Sequence, residues 1–191
     1  MNKRKLLPAA FIVVVLVQLY IPAKMIFDRE NILSSGREFK FRAAPVDPND
    51  PFRGKYIVLN FMNNTIDIQG LDEWKMNESI YVILSTDEDG FAEIKSISKE
   101  KPSGNQGFVK AKVGNLMFND EKKLTIEYPF DRFYMEETKA PRAETEYNKA
   151  SRDSTRTTWA LVSIKDGEAV LKDVMIDGVS IGKLHGVNDM K

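Results

Sequence analysis

The N-terminal apolar run is the feature that most constrains how this chain can fold. Basic residues occupy positions 3–5, and they precede residues 6–21, where Gln18 is the one distinctly polar side chain. At about 1.5 Å of rise per residue, a helix over residues 6–27 would approach the roughly 30 Å thickness of a bilayer's hydrocarbon core. The run therefore predicts a membrane-embedded helix, and we expect residues 6–27 to contact the lipid bilayer.

The charges on either side of the run predict its orientation. Positive charge is clustered before it, whereas residues 24–30 carry mixed charge. The positive-inside rule then places the N-terminus in the cytoplasm. We expect a single-pass protein of the inner (cytoplasmic) membrane with a periplasmic or extracytoplasmic C-terminal domain. A cleaved signal peptide is the alternative, although Ile21 before Pro22 and Ala23 matches a small-x-small cleavage site poorly.

The end of the helix is predicted by the residues that follow the membrane segment. Apolar side chains continue at near-helical spacing through residues 25–33, until Ser34, Ser35 and Gly36 resemble a helix stop with glycine in a left-handed cap. The helix is therefore expected to project past the bilayer and dock on the next domain. The predicted divisions are a cytoplasmic tip and membrane anchor (1–27), a helix extension or linker (28–36) and an exported β-rich domain (37–191).

Composition limits the classes of function that this domain can have. The 155 residues after Gly36 are enough for one domain with a hydrophobic core. Beyond residue 27 the chain carries 24 basic and 28 acidic residues, so we expect no nucleic-acid partner. The chain has no cysteine, which excludes disulfides, thiolate metal sites and a cysteine nucleophile.

Alternating apolar residues predict a mainly β, antiparallel domain. The segments 79–85 and 91–97 flank an acidic turn, and 157–164 and 169–176 flank Asp166-Gly167, so each pair predicts a hairpin. Further strands are predicted at 38–42, 107–113 and 124–134. We expect a β-sandwich or a partly open barrel. Residues Ala140 to Arg152 predict one short surface helix or a mobile insertion.

The segment 46–61, VDPNDPFRGKYIVLNF, predicts a rigid turn followed by a buried strand. Pro48 and Pro51 favour extended backbone at the residue before each of them and remove two backbone donors. Arg53 offers a forked donor for nearby carboxylates, and Gly54 permits a positive φ. In the strand that follows, Ile57, Leu59 and Phe61 would share an apolar face, opposite Tyr56, Val58 and Asn60.

This segment resembles the signature of the GDYXXLXY family of bacterial membrane-anchored proteins. The matching residues are Asp47, Pro48, Asp50, Phe52, Arg53, Gly54, Tyr56 and Leu59. Lys55 stands where the family has aspartate and Phe61 where it has tyrosine, so a role that needs that carboxylate or phenol does not apply here. The resemblance implies an envelope protein without an assigned activity, and it implies a polytopic membrane protein as partner.

A second segment, residues 128–137, resembles another region of that family. The resemblance implies that Arg132, Glu136 or Glu137 joins the turn that precedes Gly54. The alternative is an amphipathic strand with a solvated acidic end. Two interpretations of the motif stay open. In one, Arg53 pairs with an aspartate as an internal brace while Tyr56 and Leu59 lie in the core. In the other, the polar residues Asp47, Asp50, Arg53 and Tyr56 form a site for a ligand or partner.

Catalytic patterns have little support in the sequence. His185 lies near a polar tail that we expect to be loose, and the acidic turn 87–89 lacks the spacing of a calcium loop. We therefore expect no catalytic, cofactor-binding or metal-binding residues, and we predict a noncatalytic interaction module. The alternative is a hydrolase at the outer face of the membrane, either carboxylate-dependent or of the serine–lysine type. Its candidate residues are Asp47, Asp50, Glu136, Ser79 and Ser163.

Overall fold

Strands and two α-helices occupy most of the chain that the computed structural model describes, namely residues 3–44, 56–70, 73–104, 106–118 and 122–186. The helices are α1 (Lys3–Ser35) and α2 (Ala140–Arg152), and a 3-10 helix covers Ile181–Gly186. The strands are β1 (Arg37–Ala44), β2 (Tyr56–Val58), β3 (Asn60–Phe61), β4 (Thr65–Asp67), β5 (Ser79–Thr86), β6 (Ala92–Ser98), β7 (Phe108–Phe118), β8 (Lys122–Glu127), β9 (Arg132–Tyr134), β10 (Thr158–Lys165), β11 (Glu168–Ile176) and β12 (Val179–Ser180).

The strands form two five-stranded sheets and one two-stranded ribbon. The first sheet has the order β12-β11-β10-β1-β3, the second has the order β4-β8-β7-β5-β6, and the ribbon pairs β2 with β9. Every neighbouring pair is antiparallel. Two parallel bridges, Lys40 with Phe91 and Val109 with Gly167, connect the two sheets. The predicted mainly β, antiparallel domain with a short helix is confirmed.

One apolar core lies between the two sheets. Phe39 and Phe41 of β1 contribute from the first sheet, and Val82, Val109 and Leu124 contribute from the second. Their alternation with exposed residues is the period of a strand that buries one face. Because burying an aliphatic or aromatic side chain contributes about 1.5–3 kcal/mol, these alternating positions supply the main driving force for folding.

Both predicted hairpins are present. Strands β5 and β6 pair across residues 87–91, and β10 pairs with β11 across a tight turn. Asp166 and Gly167 in that turn have φ of 53° and 90°. Positive φ at both central residues is the requirement of the two-residue turn that matches strand twist, which explains the Asp-Gly sequence.

The strand predicted over residues 124–134 is wrong, because it is two strands. β8 ends at Glu127, a turn covers Pro129 and Phe130, and β9 begins at Arg132. Pro129 has no N–H to donate to a ladder, so the strand ends before it. The corner lets β9 leave the second sheet and pair with β2.

The single strand predicted after the motif is also divided. β2 pairs with β9, whereas β3 pairs with β1 in the first sheet. Leu59 lies at the crossing, where its N–H donates to the carbonyl of Asp131 at 2.8 Å. The predicted facing is confirmed, since Ile57, Leu59 and Phe61 are all buried.

Helix α2 has the predicted bounds and is docked on the domain. Its buried residues, Ala140, Ala143, Tyr147 and Ala150, recur at spacings of three and four and so form one face. That face packs against β1, β2 and β10. The expected surface helix is confirmed, and the alternative of a mobile insertion is wrong because the helix covers part of the core.

The expectation of a loose C-terminal tail is wrong for residues 181–186. They form a 3-10 helix, and Ile181 at its start is fully buried against the core. The backbone of His185 lies in this turn.

Helix α1 ends at Ser35, as predicted, and its last turns dock on the β10–β11 hairpin. Ile32 is buried there, and its carbonyl accepts a 2.8 Å hydrogen bond from the hydroxyl of Ser163. Arg29 donates through Nη1 to the carbonyl of Ala169 at 3.0 Å. The expected docking of the helix on the domain is therefore confirmed.

The predicted left-handed cap at Gly36 is wrong, because Gly36 is not among the glycines with positive φ. Glycine is needed there for space. A Cβ on residue 36 would lie 2.5 Å from the carbonyl oxygen of Ile32 and 2.7 Å from Oγ of Ser163. The close approach of helix and sheet, rather than backbone conformation, excludes a side chain at this position.

Between Ala10 and Phe27, most of α1 is exposed. Large apolar side chains from Phe11 to Phe27, except for the half-buried Val15, are 52% to 70% exposed. Within α1, the span Ala10–Ser35 is long and apolar enough to cross a membrane, with a mean hydropathy of 2.2 over its most apolar 18 residues.

Candidate functional site

The β2–β9 ribbon brings the end of the motif next to the second family-like segment. Tyr56 lies opposite Tyr134, and Val58 lies opposite Arg132. Ile57 between them is buried, and Val58 is half-buried against the core, whereas Tyr56 is half-exposed on the outer face of the ribbon. The turn at Pro129 makes this pairing possible, because it redirects the chain after β8.

Three side chains form a continuous patch on this outer face. The rings of Tyr56 and Tyr134 have centroids 5.4 Å apart, and Cζ of Arg132 lies 5.1 Å from the centroid of Tyr56. Tyr134 is 65% exposed. We call this patch, consisting of Tyr56, Arg132 and Tyr134, the ribbon surface. It offers two amphipathic rings and a fixed positive charge to whatever approaches the domain.

The charge of Arg132 is secured by its surroundings. Its hydrogen bond to Tyr134 is the main reason that the pKa of Arg132 lies above its ordinary value, and the nearby carboxylate of Asp131 adds to the effect. Nε of Arg132 lies 3.8 Å from Oδ1 of Asp131, and both side chains are about half exposed. Arg132 is therefore a permanent cation that can still reach an external anion or aromatic ring.

Two cavities border the corner formed by residues 127–131. One, of about 380 Å³, is lined by Ser79, Lys110, Lys112 and Arg132 among others, together with the corner itself. The other, of about 280 Å³, lies towards Leu59, Phe61, Asn64 and Gly114. The first cavity is lined by both basic and acidic side chains. It therefore suits a polar group that carries both signs of charge better than a single ion.

The aromatic packing beneath the corner holds this arrangement in place. The centroids of Phe41 and Phe61 are 5.5 Å apart, and those of Tyr128 and Phe130 are 5.1 Å apart. Phe41 also contacts both rings of the second pair. Such ring pairs stabilise a fold by about 0.5–1.5 kcal/mol each beyond the area that they bury. The corner is consequently a rigid support for the ribbon.

A protein-family model described as GDYXXLXY protein matches residues 18–174. The chain belongs to the GDYXXLXY family. The match runs from the second half of α1 into β11, so it includes the motif, the ribbon and α2 of this GDYXXLXY protein. No curated protein and no solved structure matches the chain significantly.

The letters of the family name correspond to residues 54–61 of this GDYXXLXY protein. Tyr56 is half-buried and packs against Tyr134, so the prediction that it lies in the core with Leu59 is wrong for Tyr56 and confirmed for Leu59. Phe61, in place of the final tyrosine, is buried and packs edge-to-face against Tyr128, with ring centroids 5.8 Å apart.

Most of the motif residues predicted for the site lie outside the described residues. These are Asp47, Pro48, Asp50, Phe52, Arg53 and Gly54. The pairing of Arg53 with an aspartate therefore stays a prediction. Arg132 lies opposite Val58 of β2. Its joining of the turn that precedes Gly54 stays a prediction, because that turn lies outside the described residues.

Glu136 lies at the start of α2 rather than on the ribbon surface. Its carboxylate is 2.6 Å from Nζ of Lys139 and accepts a 2.8 Å hydrogen bond from Oγ1 of Thr138. Its carbonyl accepts hydrogen bonds from the N–H groups of Lys139 and Ala140. These contacts order the segment that leads into the helix.

The candidate serines of the hydrolase alternative and the acidic turn 87–89 both have structural roles in this GDYXXLXY protein. Ser163 is fully buried and bonded to α1, while Ser79 lies opposite the exposed Lys112. In the acidic turn, Asp87 and Asp89 accept hydrogen bonds of 2.9 Å and 2.8 Å from Nη2 of Arg42. The turn is thereby an ion-paired connection between β1 and the β5–β6 hairpin.

Sequence reasoning did not single out Tyr134 as a site residue. The available signal was the Pro129 break. The strand that begins after this proline, β9, pairs with a different partner from β8. That partner is β2, and Tyr134 lies opposite Tyr56 in the pairing.

Proposed function

We propose that this GDYXXLXY protein is a membrane-anchored interaction module of the cell envelope. Its β-domain would lie at the outer face of the inner membrane and bind another membrane protein without catalysing a reaction. The continuity of α1 is the observation that supports this most strongly. An exposed apolar stretch up to Phe27 passes, within the same helix, into residues Arg29 and Ile32 that contact the domain.

The proposed orientation follows from the positive charge at positions 3–5, which favours a cytoplasmic N-terminus. Because the chain contains no cysteine, single-cysteine variants report one position each. We expect Glu88→Cys, in the exposed β5–β6 turn, to react with a membrane-impermeant maleimide in intact cells. Asn2→Cys should react only after the membrane is permeabilised. The reverse pattern would contradict the orientation.

The ribbon surface is the proposed binding face. Tyrosine and arginine are enriched at the energetic centres of protein interfaces, because each combines large contact area with hydrogen bonding. Here two tyrosines and Arg132 lie together, and Tyr134 is mostly exposed. We propose a polytopic membrane protein as the partner, since the anchor holds the domain close to the bilayer.

Photocrosslinking in living cells tests this proposal. A photoreactive residue at Tyr134 should give a discrete protein adduct, and the adduct should disappear when Arg132→Ala is added. The same probe at Met76, which is 61% exposed outside the ribbon surface, is the control and should not give that adduct. Equal adducts from both positions, or an adduct that ignores Arg132→Ala in a folded protein, would refute binding through this surface.

The enzymatic alternative is tested by Asp50→Asn. For an interaction module we expect this change to lower stability or the yield of the Tyr134 adduct. For a carboxylate-dependent enzyme, the change would abolish turnover while folding and adduct yield stayed normal. That second result, together with a detected reaction of the unchanged protein, would overturn the noncatalytic proposal.

A further inference from the structure

Gln18 places an amide in the middle of the apolar stretch of α1. It lies close to the midpoint of the segment from Ala10 to Phe27, and its side chain is exposed on the helix. If α1 spans the bilayer, as the proposed function requires, this amide is surrounded by hydrocarbon. A polar group without a hydrogen-bond partner is costly there, because no water is present to replace the missing bond.

Pro22 adds a second polar group at the same level of the helix. In an α-helix the N–H of residue 22 would donate to the carbonyl of residue 18, but proline has no N–H. Gln18 therefore offers both its side-chain amide and a main-chain carbonyl that lacks its i+4 donor. The two groups lie within one turn and make this level of α1 more polar than the neighbouring turns.

The rest of the chain, as far as the structure describes it, leaves this level of α1 uncovered. Val17, Leu19 and Ile21 beside it are 52%, 65% and 55% exposed. The domain contacts α1 only further along, at Arg29, and in the last turns of the helix. The nearby polar pair Lys24 and Asp28 is satisfied internally, with Nζ 2.5 Å from the carboxylate. Gln18 thus needs a partner from outside the protomer.

We propose that the partner is α1 of a second copy of this chain, packed so that the two Gln18 side chains hydrogen bond to each other. A carboxamide carries both a donor and an acceptor, so it is complementary to itself. A two-fold axis beside Gln18 would bring the two amides together and form two reciprocal hydrogen bonds. Polar side chains of this kind are known to join helices within membranes.

Energy transfer between labelled copies of the full-length protein in liposomes tests this. Glu88→Cys provides one labelling site per chain, and the lipid-to-protein ratio is varied. We expect transfer that depends on protein density, and we expect Gln18→Leu to weaken association by about 3- to 20-fold. Gln18→Asn, which keeps the amide, should associate more strongly than Gln18→Leu. Tyr20→Phe is the matched control and should leave the association unchanged.

Pro22→Ala gives an independent readout, because it restores the donor for the carbonyl of Gln18. Association should weaken less than with Gln18→Leu, since the two side-chain amides can still pair. An absence of energy transfer at every density, or equal transfer in Gln18→Leu, overturns self-association through Gln18. Loss of the Tyr134 adduct in Gln18→Leu without any transfer would assign Gln18 to a helix of another protein and also overturn it.

Membrane insertion is measured on the same samples by alkaline carbonate extraction. A protein that stays in the membrane fraction but shows no transfer leaves the anchor of the proposed function in place and refutes only the pairing of Gln18. A protein that is extracted from the membrane refutes both, because the pairing depends on α1 being embedded.

Discussion

The hydroxyl of Ser163 donates a 2.8 Å hydrogen bond to the carbonyl of Ile32 and so connects the middle of a β-strand to the last turn of α1. The same carbonyl accepts the N–H of Gly36 at 2.8 Å. One oxygen atom therefore receives both the bond that ends the helix and the bond that attaches it to the sheet. Since Ser163 is fully buried, the end of α1 is part of the core of the domain.

Ser163→Ala should lower the free energy of unfolding by about 1 kcal/mol, because a buried hydrogen bond is lost while the carbonyl of Ile32 keeps its bond to Gly36. Lys165→Ala is the comparison. Its Nζ donates to Asn31 and Ser35, but these groups are exposed. We expect that change to cost less than about 0.5 kcal/mol. Urea unfolding of the full-length protein in detergent measures both, and equal losses would contradict the importance of burial.

Gly36→Ala should be more damaging than Ser163→Ala, with a loss of about 1–3 kcal/mol from overpacking. The new Cβ would meet a main-chain oxygen that cannot move without displacing the helix. Gly182→Ala is the matched control, since its Cβ would have 3.7 Å to the nearest atom and its φ is ordinary. Adding Ser163→Ala to Gly36→Ala relieves one of the two close contacts, so the double variant should lose less than the two single losses combined. Strict additivity would indicate that the hydroxyl and the Cβ do not meet.

The ion pair between Arg42 and Asp87 should stabilise the folded protein at neutral pH, and this stabilisation should be lost in acid. The hydrogen bond from Arg42, followed by the one from the N–H of Phe91, holds the pKa of Asp87 below its ordinary value. Near pH 4 the unfolded chain therefore binds a proton at this residue more readily than the folded chain. Stability should rise with pH through that range and fall as the pH drops through the folded-state pKa.

Asp87→Asn removes this titration, so unfolding midpoints measured between pH 6 and pH 3 should fall less steeply than in the unchanged protein. Arg42→Gln should flatten the profile in a similar way, because it removes the main cause of the lowered pKa. The two changes together should do little more than either alone. An unchanged slope in Asp87→Asn would show that the pair carries no pH-dependent stability.

Two buried tyrosines are expected to respond oppositely to the loss of their hydroxyl groups. Burial raises the pKa of both phenols, so each stays neutral. Tyr128 donates to the carbonyl of Asn63 at 3.0 Å, whereas the hydroxyl of Tyr147 has no hydrogen-bond partner in the described part of the chain. Tyr128→Phe should cost about 1 kcal/mol, and Tyr147→Phe should be neutral or stabilising, because it removes a buried group without a partner.

Thermal unfolding of the two variants side by side checks this contrast. A loss of 1 kcal/mol or more in Tyr147→Phe would contradict the absence of a partner for its hydroxyl, since Phe keeps the ring that α2 packs against the domain.

Sequence patterns predict correctly the elements that depend on neighbouring residues, namely α2 and the two hairpins. Helix α2 has the bounds that its sequence indicated, and both hairpins follow from turn residues that permit positive φ or accept hydrogen bonds. The family membership and the anchor-like helix were likewise evident from short continuous segments.

Relationships between distant segments were not predictable in this way. β1 pairs with β10 more than a hundred residues later, and no local pattern specifies that partner. The sequence after the motif predicts one strand for the same reason, because it does not show which strands its two halves pair with. In the structure β2 pairs with β9 and β3 pairs with β1. Gly36 was assigned a conformational role because its neighbour Ser163 is visible only in three dimensions.

Helix α1 is continuous from its apolar stretch to the turn that contacts the domain core. No loop therefore separates the apolar stretch from the β-domain. Each residue of an α-helix turns the chain by about 100°, so a single insertion between Phe27 and Arg29 would rotate the whole β-domain about the helix axis by roughly that angle. The direction in which the ribbon surface faces around the axis of α1 is therefore set by the number of residues in that helix.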